Sequence, residues 1–244
     1  MNNKVSGRLW LAVLSAAAGL AYAPASIGHE VVAGWEGSAE RGYTFVAPAL
    51  TLHQGDPFSW ILRGSLSYLY YDFPEAGGNT KVRSPGQSLG LALRYTTPKL
   101  TATVGPGYEV RQTRRKPAAG GEIEDNEYGA TLEGNVFIQA TPRTVVSLLA
   151  SYGDANDYYW VRGGVKQQIG GSAGTDAIAW HLGAELTSQG NEDVESRQLG
   201  GVLEAAFLRA KASLQLRAGY SRQENPDASR QSDPYFGVGL YRAF

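Results

Sequence analysis

The stretch KASLQLRAGYSR, residues Lys211 to Arg222, decides the fold class of this chain. Every second residue from Ala212 to Tyr220 is apolar, and the residues between them are polar or very small. A period of two is typical of a β-strand whose two faces meet different surroundings. The pattern recurs along most of the chain, for example from Leu100 to Arg111. The fold is therefore predicted to be all-β.

The alternation predicts about twelve strands, and the lengths of their connections predict how they are arranged. Tight turns mostly follow the even-numbered strands, and the long polar connections, at 73-84, 114-125, 189-195 and 224-232, follow odd-numbered ones. Short turns at one end and long loops at the other are typical of an antiparallel up-and-down transmembrane β-barrel of the bacterial outer membrane. A soluble β-sandwich, whose strands also alternate, is the rival fold. The predicted strands lie near 30-37, 41-53, 57-72, 85-97, 100-113, 126-140, 143-154, 157-169, 176-188, 196-209, 211-223 and 233-244.

The N-terminal 1-23 segment is predicted to be a cleaved signal peptide. Basic residues precede an apolar run from Leu9 to Leu20, and small residues follow at Ala21 and Ala23, where a signal peptidase reads. The run is shorter than the roughly 20 residues of a membrane-spanning helix. Residues 24-244 are expected to form the barrel, localised in the bacterial outer membrane.

Charge and cysteine content exclude several classes of function. The leader holds two of the 22 basic residues and none of the 23 acidic ones, so the mature chain has a net charge near −3. Such a chain offers no general basic face for nucleic acid. The absence of cysteine excludes disulfides and thiolate metal sites. No cofactor is predicted.

Aromatic residues gather towards the ends of the predicted strands, and we expect them to form two girdles at the level of the lipid headgroups. Those at the long-loop end are Tyr68, Tyr70, Tyr71, Tyr152, Tyr158, Tyr159, Tyr220, Tyr235 and Phe236. Those at the short-turn end are Trp60, Tyr95, Tyr241 and Phe244.

The last predicted strand ends in an apolar stripe with one irregularity. Its outward face is predicted to carry Phe236, Val238, Leu240 and Phe244, which resembles the signal by which the barrel assembly machinery recognises its clients. Arg242 departs from this pattern, since an apolar residue is usual there, and its long side chain is able to snorkel to the headgroups.

The stripe opposite the apolar one is predicted to line the lumen, and it carries charges of both signs. Buried charges are tolerated when they are paired, so one interpretation is a structural ion network that partly fills the lumen. The other is a narrow polar channel or ligand groove. The predicted residues are Glu36, Arg63, Arg94, Glu109, Arg111, Glu133, Arg162, Lys166, His181, Glu185, Glu204, Lys211 and Arg217.

No catalytic arrangement is predicted. A lipid hydrolase of barrel type needs a Ser-His pair oriented by an acid or amide, and none of His29, His53 and His181 begins a His-x-Ser arrangement. Metal-ligand spacing is also absent, and the acidic residues from Glu122 to Glu127 are interpreted as a solvated surface rather than a Ca²⁺ site. The chain is predicted not to be an enzyme, with a lipid-modifying enzyme kept as the least favoured alternative.

Two aromatic tracts, Tyr68 to Asp72 and Asp157 to Arg162, have two interpretations. Rings beside carboxylates are suited to saccharides, because the rings pack on C–H faces and the acids bind hydroxyls. The interfacial girdle explains the same rings. The saccharide contacts in the first interpretation are Tyr70, Tyr71, Asp72, Asp157, Tyr158 and Trp160.

Five short aromatic-rich motifs, in order along the chain, carry a family resemblance. They are Trp35-Glu36-Gly37, Gly42-Tyr43, the tracts 68-72 and 157-162, and Asp233 to Leu240. The sequence resembles the cellulose biosynthesis protein BcsS family. The resemblance implies a non-enzymatic outer-membrane accessory to bacterial exopolysaccharide (cellulose) biosynthesis or export, and it carries over no catalytic residue. Expected partners are outer-membrane lipid, the barrel assembly machinery, and exopolysaccharide or its export machinery. A narrow channel for small polar solutes is the alternative.

Overall fold

The computed structural model of the protein describes residues 29–38, 41–75, 78–154, 157–171, 177–190, 195–224 and 230–244. The predicted signal peptide lies outside these residues. Twelve β-strands are present in the described part of the chain. They are β1 (Glu30–Gly37), β2 (Arg41–Gln54), β3 (Phe58–Glu75), β4 (Gly78–Thr96), β5 (Leu100–Lys116), β6 (Ile123–Thr141), β7 (Thr144–Gly153), β8 (Tyr158–Gly170), β9 (Ile178–Gly190), β10 (Glu195–Phe207), β11 (Ala212–Glu224) and β12 (Arg230–Ala243).

The strands form one closed antiparallel barrel. Each strand pairs with its neighbours in sequence, and β1 pairs with β12 to close the ring. At this seam Glu30 lies opposite Ala243 and Gly37 lies opposite Phe236. A closed ring leaves no sheet edge, so every strand can satisfy its backbone groups within lipid. The predicted up-and-down barrel of about twelve strands is confirmed, and the rival β-sandwich is wrong.

The outer surface is apolar because the alternate residues of each strand point away from the barrel axis. Large side chains on this surface are extensively exposed, as with Leu66 (60%), Leu132 (54%), Leu199 (66%) and Leu240 (53%). In water, this surface would leave large apolar side chains exposed to solvent at a cost in free energy. In a membrane, the same side chains contact apolar lipid chains.

Two predicted long loops, 73-84 and 114-125, are largely strand. β3 and β4 continue until only residues 76–77 separate them, and β5 and β6 continue to 116 and from 123. Beyond Val110 the residues on both faces of β5 are polar, so hydropathy stops alternating while the backbone ladder with β6 continues. We call residues 69–75, 78–84, 113–116 and 123–125 the β3–β6 extension, because this part of the wall continues past the apolar band.

The opposite end of the barrel has short connections. Between β10 and β11 a 3-10 turn, Leu208–Ala210, is followed by Lys211 in the left-handed region at φ 47°. The prediction that Lys211 starts a strand and faces the lumen is wrong, because the chain reverses direction at this exposed residue. Among the described residues, no helix has the length and apolar character needed to cross a membrane.

Candidate functional site

The charged residues predicted to line the lumen lie inside the barrel, apart from Lys211, and nearly all form ion pairs. In five of the six pairs the two partners come from strands that are two or more positions apart in the ring, so these pairs link separate parts of the wall as well as neutralising charge. Glu30 was not predicted, although it lies six residues before Glu36 and therefore has the same inward phase. The pairs are Glu30–Arg94, Glu36–Arg162 (2.7 Å), Arg63–Glu133 (3.2 Å), Glu109–Arg111 (2.5 Å), Lys166–Glu204 and Glu185–Arg217 (3.2 Å).

Polar side chains are closely packed in the middle of the lumen. Side chains lining a water-filled channel are in contact with water, yet Glu204 and Gln215 are almost completely inaccessible and Arg162 is only 4% exposed. A cavity of about 30 Å³ lies among Arg162, Lys166, Glu185, Gln215 and Arg217, together with smaller neighbours. Such a volume holds roughly one or two water molecules. Among the described residues at this level, the polar side chains are therefore packed against one another with little room for water.

An apolar cluster lies in the lumen beside the Glu36–Arg162 ion pair. Its buried members are Tyr43 and Phe45 on β2, Phe137 on β6, Leu149 on β7, and Tyr158 and Trp160 on β8. Because β2 and β8 lie six positions apart in a ring of twelve, their side chains meet from opposite walls. The Arg162 guanidinium lies 5.0 Å from the centre of the Trp160 ring, which joins the cluster to the ion pairs.

This cluster was missed by sequence reasoning, and part of the girdle prediction was wrong. Tyr158, Tyr235 and Tyr241 are buried inside the barrel, whereas Tyr68, Tyr152 and Tyr220 are exposed on the outer wall as predicted. At these strand ends both faces carry aromatic or apolar residues, so the alternation of polar and apolar residues does not show which side chains face inward. The detectable signal was the adjacency of rings, since neighbours such as Tyr159 and Trp160 must face opposite sides.

The six residues assigned to saccharide contact do not lie together. Trp160 and Tyr158 are buried in the lumen, and Tyr71 has the inward phase of β3. Tyr70 and Asp72 lie on the outer wall of β3, where both contact Arg83. Asp157 accepts a hydrogen bond from the Tyr152 hydroxyl at 2.7 Å at the start of β8, five strands away in the ring. The described geometry offers no shared platform for a sugar.

The outward stripe of β12 and the following Phe244 is apolar except at Arg242. Phe236, Val238, Leu240 and Phe244 are all exposed on the outer wall. The Arg242 guanidinium lies 4.8 Å from the centre of the Phe244 ring, which is a cation–π contact on the outer wall. Recognition of the stripe by the assembly machinery stays a prediction.

Histidines and acids form no metal centre in the described residues, since no three of them are grouped to hold an ion. His181 is buried in the lumen next to Glu204 on the adjacent strand, and His53 is exposed at the end of β2.

A closed antiparallel barrel with an apolar outer band and a polar interior defines an outer-membrane β-barrel protein. The family model described as cellulose biosynthesis protein BcsS matches residues 46–244. The chain therefore belongs to the cellulose biosynthesis protein BcsS family, as its motifs indicated.

Solved structures agree on the fold. An outer membrane channel from Pseudomonas putida F1 superposes with a TM-score of 0.60 at 11% identity, covering 92% of this chain and 100% of the other. The beta domain of the Bordetella autotransporter BrkA gives 0.56 at 17% identity, covering 90% and 100%. The transport unit of the autotransporter AIDA-I from Escherichia coli gives 0.53 at 10% identity, covering 91% of both chains. No curated protein matches the sequence.

Proposed function

We propose that the protein is a non-enzymatic outer-membrane barrel that supports cellulose biosynthesis or export through its surfaces, with its lumen closed. The observation that carries the proposal is the Glu36–Arg162 ion pair across the lumen, together with the apolar cluster beside it. A polymer or a sugar needs a continuous hydrated path, and both features occupy the space where such a path would run.

Membership of the cellulose biosynthesis protein BcsS family supplies the process. With the lumen filled, the surfaces left for partners are the two rims and the β3–β6 extension. The extension raises polar strands beyond the apolar band, and we propose that it faces the cell exterior with the short turns in the periplasm, as in barrels of this type. In this position the barrel is suited to anchoring export machinery or contacting the emerging polymer.

Deletion of the gene tests the process. Under cellulose-producing conditions, deletion should reduce the exopolysaccharide matrix, and the wild-type gene supplied in trans should restore it. A matrix that is unchanged on deletion would contradict the proposal. The deletion strain expressing an unrelated, inert outer-membrane barrel to the same level is the control for a general disturbance of the outer membrane.

Planar-bilayer recording separates this function from its alternative, a narrow channel for small polar solutes. That alternative is favoured by one observation: at the short-turn end the pairs Arg94–Glu30 and Arg63–Glu133 keep 11–18% of their side chains exposed, so water enters from there. A barrel closed further along the lumen gives no steady conductance. Stable, reproducible conductance steps from purified wild-type protein would instead support the channel.

A further inference from the structure

We infer that the outer wall of the β3–β6 extension binds phosphate groups of the lipid in the leaflet beside it. The site consists of Lys81 and Arg83 on β4 and Arg114 and Lys116 on β5, which we call the basic patch. All four side chains have the outward phase, alternating on β4 with the buried inward residue Val82. The inference rests on the proposed function in one respect: the proposed orientation of the barrel decides which leaflet supplies the lipid.

The register of the two strands brings like charges face to face. Arg83 lies directly opposite Arg114, and Lys81 lies directly opposite Lys116. Side chains in such positions have Cβ atoms about 4.5–5.5 Å apart, and like charges there destabilise a sheet. Two such pairs in succession concentrate four cations on a small area of sheet, which a bound anion would stabilise.

Acidic neighbours neutralise the patch only in part. An Asp72 carboxylate oxygen lies 3.0 Å from Arg83, and a Glu124 oxygen lies 3.9 Å from Arg114. Among the described residues, neither the Lys81 nor the Lys116 ammonium forms an ion pair. Asp72 also lies opposite Lys81 in the β3–β4 ladder. These two carboxylates face four cations, so the patch keeps an excess of positive charge.

The patch begins where the aromatic belt ends. Tyr70 lies opposite Arg83, whose guanidinium lies 5.7 Å from the centre of the ring, and Tyr68 lies two residues closer to the apolar band. On β6 the ring of Tyr128 is 64% exposed on the outer wall. Tyrosine rings mark the headgroup level, so the cations lie at the height of lipid phosphates. Each cation near an anionic membrane surface strengthens binding by about five-fold.

The opposite wall provides a matched control. On β10 and β11, six positions away in the ring, Arg197 lies opposite Arg222. This is a single pair with no second pair described beside it, and Arg197 forms an ion pair with Glu195 at 2.8 Å. Removing these two arginines takes the same charge from the same rim as removing Arg83 and Arg114.

The test uses the full chain refolded in neutral detergent, with retained lipid measured by native mass spectrometry. The probes are lipid A and its dephosphorylated form. We expect wild type to retain lipid A in preference to the dephosphorylated lipid. R83Q/R114Q should weaken lipid A retention on the order of ten-fold, K81Q/R83Q/R114Q/K116Q should weaken it further, and R197Q/R222Q should change it little. Heat-modifiable gel migration verifies that each variant is folded.

Equal retention by R83Q/R114Q and wild type would overturn the inference, as would an equal loss in R197Q/R222Q. Inorganic phosphate that displaces lipid A at equal concentration would assign the patch to a free anion instead, and soluble cellooligosaccharides that do so would assign it to the polymer. If a variant does not fold, a salt titration of the wild type replaces it. Retention of lipid A by wild type must then fall with rising ionic strength, and retention that does not depend on salt would reject the basic patch. This test uses purified protein, whereas the test of the proposed function measures the matrix of cellulose-producing cells. Failure of the one is therefore distinguishable from failure of the other.

Discussion

One guanidinium nitrogen of Arg162 on β8 donates to both carboxylate oxygens of Glu36 on β1, at 2.7 and 3.0 Å. The two strands lie on facing walls of the barrel, so the pair spans the lumen. The Nε atom of Arg162 donates to the Thr187 hydroxyl at 2.9 Å, which fixes the plane of the guanidinium. The wall is thus held across its interior as well as around its circumference.

Glu36→Gln should destabilise the folded barrel strongly, because it removes the carboxylate that forms an ion pair with the buried Arg162. Removing one partner of a buried ion pair lowers the free energy of unfolding by about 3–5 kcal/mol. The measurement is the free energy of unfolding in urea, in detergent or lipid. The control is Asp233→Asn at the partly exposed rim pair with Arg41, which we expect to cost less than about 1 kcal/mol. The double variant E36Q/R162Q should recover part of the loss, and equal costs for E36Q and D233N would contradict the role of the cross-lumen pair.

Trp160→Ala should open the lumen, because it removes the largest fully buried side chain of the apolar cluster. The cost in stability should be about 3–5 kcal/mol. In planar bilayers the variant should show conductance events that wild type lacks. Trp180→Ala is the matched control, because that ring is 43% exposed on the outer wall. A Trp160→Ala barrel that is folded and as silent as wild type would show that other residues close the lumen.

Gly219→Ala should be destabilising by about 1–3 kcal/mol, as in other overpacked sites. A Cβ atom there would lie 2.2 Å from the Leu199 carbonyl oxygen and 2.8 Å from the Tyr235 ring, so the strand or the ring must move. Gly163→Ala serves as the control, since its Cβ would meet no atom within 4 Å. Urea midpoints of the two variants give the comparison, and a neutral Gly219→Ala would mean that the interior is looser than described.

Single cysteines should report the orientation of the barrel, because the natural chain contains none. Glu124→Cys, in the β3–β6 extension, should react with a membrane-impermeant maleimide on intact cells. Lys99→Cys, in the β4–β5 turn, should react only after the outer membrane is permeabilised. Both positions are exposed in the folded chain, so a difference in labelling reports the side of the membrane. The reverse pattern would place the extension in the periplasm.

Alternation of side chains was sufficient to predict the barrel, the strand number and most strand bounds, because the lipid-facing wall must be apolar at every second residue. It failed where that requirement ends. Above Val110 both faces of β5 are polar, so the extension was predicted to be loop. At Tyr158–Trp160 both faces carry rings, so residues that fill the lumen were assigned to the girdle.

The partners of the lumen charges were beyond sequence reasoning for a different reason. Phase along a strand tells which side a residue faces, and Glu36 and Arg162 both have the inward phase. Their meeting depends on the stagger of strands around the ring, which sets the height of each residue, and no local pattern contains that quantity. Sequence also did not show that β4 and β5 align Arg83 with Arg114, which is again a matter of register.

The seam between β1 and β12 has a consequence for how the protein forms. Glu30 lies opposite Ala243 in the ladder that closes the ring, and this ladder joins the two described strands that are farthest apart in sequence. Pairing at such sequence separation is slow, since the entropy of bringing the ends together is lost before the contacts form. Until then both terminal strands expose unpaired backbone groups, so folding of this protein should be limited by ring closure and should require protection of its open edges.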